Sequence, residues 1–522
     1  MGLTIRSLHT LAAATLIAAI LLAGTVFGKG DYADGELLVK FSSDASAAKI
    51  RSANKQLGSA VLERLGDLDW QRVKLPEGMT TEEAIERYKK IEGVEAVQPN
   101  YYYHLLTTPN DPLFTDSGMY GLSNISAPAA WDLSTGSSSV VVADIDTGML
   151  YTHQDLAANT WVNPGEIPGN GVDDDGNGFV DDVNGWDFFY NDSNPIDDAG
   201  GHGTHTAGTI GAVGNNAFGV VGVNWNVKIM PIKIYSPNGT DSTSSMLVNA
   251  YNYIRMMKNR GVNIRATNNS YGDCGEACGY DQATKDALDA LGDANVLEVF
   301  AAGNQARNID TAPFYPASYT SPSVLSVAAS DSSDAKASFS CFGPVSVDLA
   351  APGLGVLSTF NASTTSTKLL SGTSMATPHV TGAAALLSAF NPSLSAASLK
   401  ASLMNNVDVL PAWNGLVKSG GRLNVFKAMQ NPTVCTFTPA SSTITVPTRG
   451  GTFTLNVTAP TNCDYFVKST AAASKKWLKI LSSDVMSGSG TVTFHITVNP
   501  TITRTGTITV GGQTVTIRQS RN

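Results

Sequence analysis

Val140-Val141-Val142-Ala143-Asp144-Ile145-Asp146-Thr147-Gly148 is an apolar run that ends on a carboxylate and a glycine. Its β-branched residues and short length read as a buried strand with Asp146 at its carboxyl end. Similar runs recur at residues 228–234, 296–300 and 324–328, with helical stretches between them. Such alternation predicts an α/β fold, a parallel sheet with helices on both faces. Reactive groups then belong at the carboxyl ends of the strands.

This pattern fills residues 107–431, and the segments on either side differ from it. Residues 29–106 open on a strand-like run at 36–41. A helix is predicted over 81–91, where Thr80 and Glu83 form a capping box and Gly93 stops the chain. A second strand follows at 94–97, so this segment reads as a small α+β domain. Residues 432–522 alternate Thr and Val in short runs, at 443–446, 452–457, 491–498, 505–510 and 514–517, which predicts a β-sandwich.

The chain has 522 residues, too many for one core, and a formal net charge of −10. No long basic run is present, which argues against nucleic acid as a partner. Residues 1–28 read as a secretion signal. Arg6 precedes an apolar run over 11–23, shorter than the roughly 20 residues a membrane span needs. The mature protein is therefore expected to be soluble and exported. Export permits disulfides. Cys435 and Cys463 share the C-terminal segment and are expected to pair, whereas the pairing of Cys274 with Cys278 stays open and Cys341 is left over.

Three blocks carry the chemistry: the Asp146 strand end, Gly201-His202-Gly203-Thr204-His205-Thr206-Ala207-Gly208, and Ser371-Gly372-Thr373-Ser374-Met375-Ala376-Thr377-Pro378-His379. A serine hydroxyl is a poor nucleophile until a base takes its proton, and a carboxylate behind an imidazole fixes the tautomer that does so. Ser374 opens a small-residue helix, whose positive end favours developing negative charge. Asp144 lies on the same strand face as Asp146. It either raises a neighbouring pKa or holds a buried polar partner, and the sequence does not choose between these.

Asp, His and Ser in this chain order resemble the subtilisin-like serine protease family, and thermitase-like members of it most of all. The resemblance implies a triad of Asp146, His202 and Ser374. It further implies that Asn304, in Phe300-Ala301-Ala302-Gly303-Asn304, donates to an oxyanion together with the Ser374 N–H. By the same resemblance His205 and His379 are structural. Ser270, Tyr271 and Gly272, with Ala301, Ala302 and Gly303, would line the pocket for the residue before the cleaved bond. Phe314, just before Tyr315-Pro316-Ala317, would form its floor, where many relatives carry a small or polar residue, so medium apolar residues such as Leu or Met are expected to be preferred.

Calcium is the expected structural metal. Residues 173–182 place Asp173, Asp175, Asn177 and the Phe179 carbonyl at intervals suited to a hard cation, with Asp182 or Asp181 completing the set, the alternative being a solvated Asp/Gly turn. The resemblance adds Asp111, Asp155 and Asn216 with the carbonyls of Val213, Phe218 and Val220 as one site, and Asp187, Asp192 and Asn194 as another. It makes residues 29–106 an inhibitory propeptide that helps folding, cut off between about 104 and 109, the alternative being a permanently attached N-terminal domain. The last segment resembles the BACON family of β-sandwiches through Cys435, Trp477 and its closing strands, but has Tyr465 where Trp is common. Such domains are thought to bind carbohydrate or other surfaces, and a spacer or a removed segment fits the sequence as well. The reading from another class, an inactive adhesion protein, conflicts with the intact set Asp146, His202, Asn304 and Ser374. Protein and peptide substrates are the partners this implies.

Overall fold

The computed structural model describes residues 32–102, 107–239, 241–272, 280–469, 477–499 and 502–520. Residues 1–28, residues 104–106 of the expected cleavage stretch at about 104–109, and Cys274 and Cys278 lie outside the described residues. The chain divides into two compact units, residues 1–104 and 105–522.

In the first unit, β1 (Tyr32–Phe41), β2 (Ala60–Leu65), β3 (Trp70–Lys74) and β4 (Val94–Tyr101) form an antiparallel sheet of order β2-β3-β1-β4. Leu37, Val39 and Phe41 alternate along β1 and pack with Ala53, Leu57, Ala84 and Tyr88 of two helices, Ala47–Leu57 and Thr81–Tyr88. The Thr80 hydroxyl accepts from the Glu83 N–H at 3.2 Å, a cap worth about 1 kcal/mol. The second helix ends at Tyr88, three residues before the sequence pattern does. Beyond it, Lys90 and Ile91 bond to Arg87 and Tyr88 carbonyls in tighter i to i+3 turns.

The second unit is built on β5 (Gly136–Asp146), β6 (Trp186–Asp187), β7 (Asn226–Lys233), β8 (Ile264–Asn269), β9 (Leu297–Ala301), β10 (Val324–Ser330) and β11 (Leu349–Pro352), with the hairpin β12 (Val356–Thr359) and β13 (Thr367–Leu370) beside it. Short strands β14 (Asp408–Val409) and β15 (Gly421–Arg422) complete a nine-stranded sheet of order β14-β15-β11-β10-β9-β8-β5-β7-β6. All its pairs are parallel except β14 with β15. The chain runs from β5 out to β7 on one side and then crosses to β8 on the other. Asp146 therefore ends the strand where the winding direction reverses, which is where open α/β sheets form their crevice. Helices pack on both faces, and the 18-residue helix Thr373–Phe390 is almost wholly buried.

Among the described residues, nine strands between Thr438 and Gln519 make one sheet of four and one of five. Pairing is antiparallel except between Thr443–Val446 and Gln513–Gln519. Leu455, Val492, Phe494, Ile508, Val515 and Ile517 meet in one core between the two sheets. A disulfide joins Cys435 and Cys463, and Cys341 is buried and has no disulfide partner among the described residues. Among the described residues no helix is long and apolar enough to cross a membrane.

Candidate active site

Asp146 is buried at the end of β5, and its Oδ1 lies 2.7 Å from His202 Nδ1. The same Oδ1 accepts from the Thr147 N–H at 2.7 Å. His202 opens the helix His202–Gly211, and its side chain is 34% exposed, so one ring edge faces solvent while the other is fixed. The helix approaches β5 closely because Gly203 carries no side chain: a Cβ there would sit 2.1 Å from Gly148 O and 3.1 Å from Asp146 Cβ. Asp197 ties the loop behind it. Its Oδ2 accepts from the Thr204 N–H at 3.0 Å and its Oδ1 from the Thr147 hydroxyl at 3.1 Å, while Thr147 Oγ1 accepts from the Gly203 N–H.

Burial works against a charged imidazole, but the charge of Asp146 and its hydrogen bond outweigh it. The His202 pKa is pushed up to about 9. His205 and His379 show the opposite. Both are buried on backbone carbonyl partners, and burial pulls each down to about 4, which makes them neutral packing groups.

Ser374 is the second residue of its helix. Pro378 lacks the N–H that would bond the Ser374 carbonyl. That carbonyl instead accepts from the Ser270 hydroxyl at 2.9 Å, while the Ser374 hydroxyl donates to the Ser270 carbonyl at 3.1 Å. The helix end and the end of β8 are thus clamped together. Asn304 follows β9, and its Oδ1 accepts from both the N–H and the hydroxyl of Thr373, at 2.8 and 2.9 Å. That fixes the direction of its amide. A Cβ built on Gly372 would lie 3.4 Å from Asn304 Nδ2 and 3.5 Å from Ser374 N, so both donors flank one small space beside the serine.

Ser270, Tyr271 and Gly272 leave β8, and Ala302 and Gly303 leave β9, on the two sides of the crevice. The Phe314 ring is buried between them. A Cβ on Gly272 would sit 2.3 Å from Phe314 Cε1, and one on Gly303 2.8 Å from Phe314 Cδ2.

Three groups stand at the positions expected of calcium ligands, and among the described residues the third alone brings three carboxylates together. In the first, Asp155 is fully buried with Oδ1 on Asn216 Nδ2 and Oδ2 on the Val220 N–H, and Asp111 caps the N–H groups of Asn215 and Asn216. Burial raises the Asp155 pKa to about 6, a cost that a bound cation offsets. In the second, Asp187 is fully buried, its Oδ2 has no hydrogen-bond partner among the described residues, and its backbone bridges to Asp192. Asn194 Oδ1 there accepts from the Tyr151 hydroxyl, and the Asp192 carboxylate accepts from the Asn194 N–H. In the third, carboxylate oxygens of Glu166, Asp173 and Asp175 lie within 4.8 Å of one another. Glu166 stands outside any spacing pattern in the sequence. Asp182 is not one of the three but is linked to them, as its carboxylate accepts from Asn163, Asn177 and Tyr253, and both Asn amides also donate to Asp175. The Asn177 side-chain oxygen accepts from the Phe179 N–H.

A histidine oriented by a buried aspartate, with a serine at a helix N-terminus and paired donors beside it, defines the class of serine hydrolases, here on a parallel α/β sheet. The chain belongs to the subtilase family of serine endopeptidases: the family's model matches residues 137–462, and the fervidolysin N-terminal prodomain model matches residues 23–100. It is 36% identical to thermitase of Thermoactinomyces vulgaris over 323 residues, 62% of this chain and 99% of that protein. A thermophilic serine proteinase of Bacillus sp. (strain AK1) is 33% identical over 364 residues, covering 69% of this chain and 79% of its own. An extracellular protease of Xanthomonas campestris pv. campestris is 30% identical over 412 residues, 73% of this chain and 68% of its own.

Proposed function

We propose that this serine endopeptidase is exported, stabilised by calcium, and made as a precursor that cuts itself, with Asp146, His202 and Ser374 as its catalytic triad. The observation that carries the reading is the 2.7 Å contact of His202 Nδ1 with Asp146 Oδ1, which leaves Nε2 free to act as base. The Ser374 hydroxyl turns from the Ser270 carbonyl toward His202 and attacks the substrate carbonyl carbon as its proton passes to Nε2. Negative charge gathers on the former carbonyl oxygen. The Ser374 N–H and Asn304 Nδ2 receive it, with the positive end of the helix behind them. The imidazolium then protonates the leaving amine. A water molecule repeats the sequence on the acyl-enzyme and releases the acid.

Calcium would be held by Asp111, Asp155 and Asn216 with the carbonyls of Val213, Phe218 and Val220, by Asp187 with Asp192 and Asn194, and by Asp173 and Asp175 with Glu166. It would supply structural stabilisation by neutralising buried carboxylates. The prodomain is read as an intramolecular inhibitor, and the C-terminal sandwich as a BACON-like module. The Xanthomonas relative's designation as extracellular supports export.

Ser374→Ala in a host without similar proteases tests the triad. The variant should leave the precursor uncut and fail to label with a fluorophosphonate that labels the wild type. Normal processing of the variant rejects the assignment.

A further inference from the structure

Asp144 lies two residues before Asp146 on β5, buried and 2% exposed, and takes no part in the steps above. Its Oδ1 lies 2.8 Å from Asn268 Nδ2 on β8. Its Oδ2 lies 2.9 Å from the hydroxyl of Thr206, one turn beyond His202 on the same helix. The Thr206 hydroxyl is also 2.9 Å from Gly203 O.

A hydroxyl carries one proton. With Asp144 ionised, Thr206 donates to its Oδ2, and the Gly203 carbonyl keeps the Ala207 N–H of its own helix. With Asp144 protonated, the carboxyl donates to Thr206 Oγ1 and Thr206 donates to Gly203 O, so every group is paired. Both arrangements pair every group, so charge decides: an ionised Asp144 would be buried on two neutral donors, with no cation bonded to it among the described residues, which favours the second arrangement. The surroundings agree. The charged groups that face Asp144 are Asp146 on its own strand and His202 across from it, and His202 is already bonded to Asp146. Burial and the Asp146 charge push the Asp144 carboxyl well above the usual carboxylate range.

The other side of Asp144 reaches the nucleophile. Asn268 Nδ2 is 3.1 Å from Ser270 Oγ, which bonds the Ser374 carbonyl, and Asn268 Oδ1 accepts from Thr381 on the Ser374 helix at 3.1 Å. We infer that Asp144 is a neutral carboxylic acid that donates to Thr206 and so positions the His202 helix, and through Asn268 the Ser374 helix, for reaction. It is a positioning residue, and the inference rests on the triad reading above.

The test compares Asp144→Asn and Asp144→Val in the full chain. An asparagine amide donates to Thr206 and accepts from Asn268, so Asp144→Asn should rescue what Asp144→Val loses. The valine variant should lose about tenfold or more in kcat with KM little changed, as expected for groups misplaced in the transition state. Infrared spectra near neutral pH should show the carbonyl stretch of a buried protonated carboxyl, absent in Asp144→Asn. The acid limb of kcat/KM should keep its midpoint in Asp144→Asn, because no charge is removed. A midpoint lowered by about one unit would show that an ionised Asp144 had been supporting the imidazolium. That shift, a missing infrared band in the wild type, or a fully active Asp144→Val overturns the inference. If Asp144→Val does not fold, the two Asp144→Asn readouts still decide the protonation state. The infrared band is independent of turnover, so failure of the triad reading is seen separately.

Discussion

Lys400 Nζ lies 2.8 Å from Asp464 Oδ2, and both side chains are buried, at 4% and 7% exposure. Lys400 belongs to the helix Ala396–Asn405 that packs under the central sheet, and Asp464 opens a strand of the C-terminal sandwich. The ammonium also donates to Val324 O at 2.6 Å, and Asp348 stands 3.9 Å away. The same helix accepts the Cys435 N–H on Ser398 Oγ and the Thr433 N–H on Ser402 Oγ, and gives Ala401 to the sandwich core. The sandwich is thus docked on the sheet-bearing part of the unit by desolvated charge and shared packing.

Asp464→Asn should therefore destabilise the protein strongly. It leaves a buried ammonium short of countercharge, and breaking such a pair by removing one partner costs about 3–5 kcal/mol. Replacing both, Lys400→Met with Asp464→Leu, should cost much less. Thermal unfolding of both variants in a Ser374→Ala background measures the difference. Equal, small losses would mean that the pair is not desolvated.

The pH dependence follows from His202. As the proposed general base it would have to be neutral, and Asp146 raises its pKa to about 9 against the effect of burial. Below that value the imidazolium dominates and cannot take the Ser374 proton, while above it the neutral form is present. Activity should therefore rise with pH, with the acid limb of kcat/KM displaced upward from the ordinary histidine value of about 6.5. Asp146→Asn should lower kcat by about 10⁴-fold, the loss seen when a triad histidine keeps its place in the wrong tautomer. A pH–rate series on a small peptide substrate checks both, and an acid limb at or below the ordinary value contradicts the first.

Chelation should lower the melting temperature of the Ser374→Ala protein, where self-digestion cannot contribute. A ligand that binds only the folded state adds about 2.7 kcal/mol at a hundredfold excess over its dissociation constant. Asp155→Asn should reproduce part of the loss, because Asp155 is fully buried at its site. Glu166→Gln should do so if the trio with Asp173 and Asp175 holds an ion. A melting temperature unmoved by chelator removes calcium from the account.

Local pattern made much of this legible in the sequence. The run at 443–446 is a strand over those residues, and Thr80 caps the helix as its capping box implies. Asp146 ends β5 because a run of β-branched residues can go no further than a charged, glycine-flanked turn. What depends on distant partners was not legible. Glu166 meets Asp173 and Asp175 only through the fold of the loop between them. Asp144 stood out as a carboxylate in an apolar strand, but Thr206 and Asn268 are 62 and 124 residues away along the chain. Lys400 and Asp464 carry no periodic signal at all, so the docking of the sandwich stayed open until both were placed.

Specificity should turn on Phe314. Its ring fills the space between Gly272 and Gly303, the two segments that would bind the residue before the scissile bond, and the Arg307 guanidinium lies 6.0 Å from its centre. A ring in that position shortens the pocket and presents apolar surface, so Leu and Met should be preferred to Phe and Tyr, and to charged residues. Phe314→Gly empties the floor. The large aromatic side chains then gain buried area, while Leu loses contact with the ring. Changes of one or a few methylene equivalents in an apolar pocket shift kcat/KM about 10- to 200-fold, so the Phe-to-Leu ratio should rise by at least about tenfold. The variant should also lose stability, because removing a buried aromatic side chain costs about 3–5 kcal/mol. Phe314→Leu, which keeps most of the packing, serves where the glycine variant is too weak to assay. A peptide-library profile of wild type and variants reads the outcome. A profile that does not move in either variant would mean that the ring belongs to the core alone and that the pocket ends on another residue.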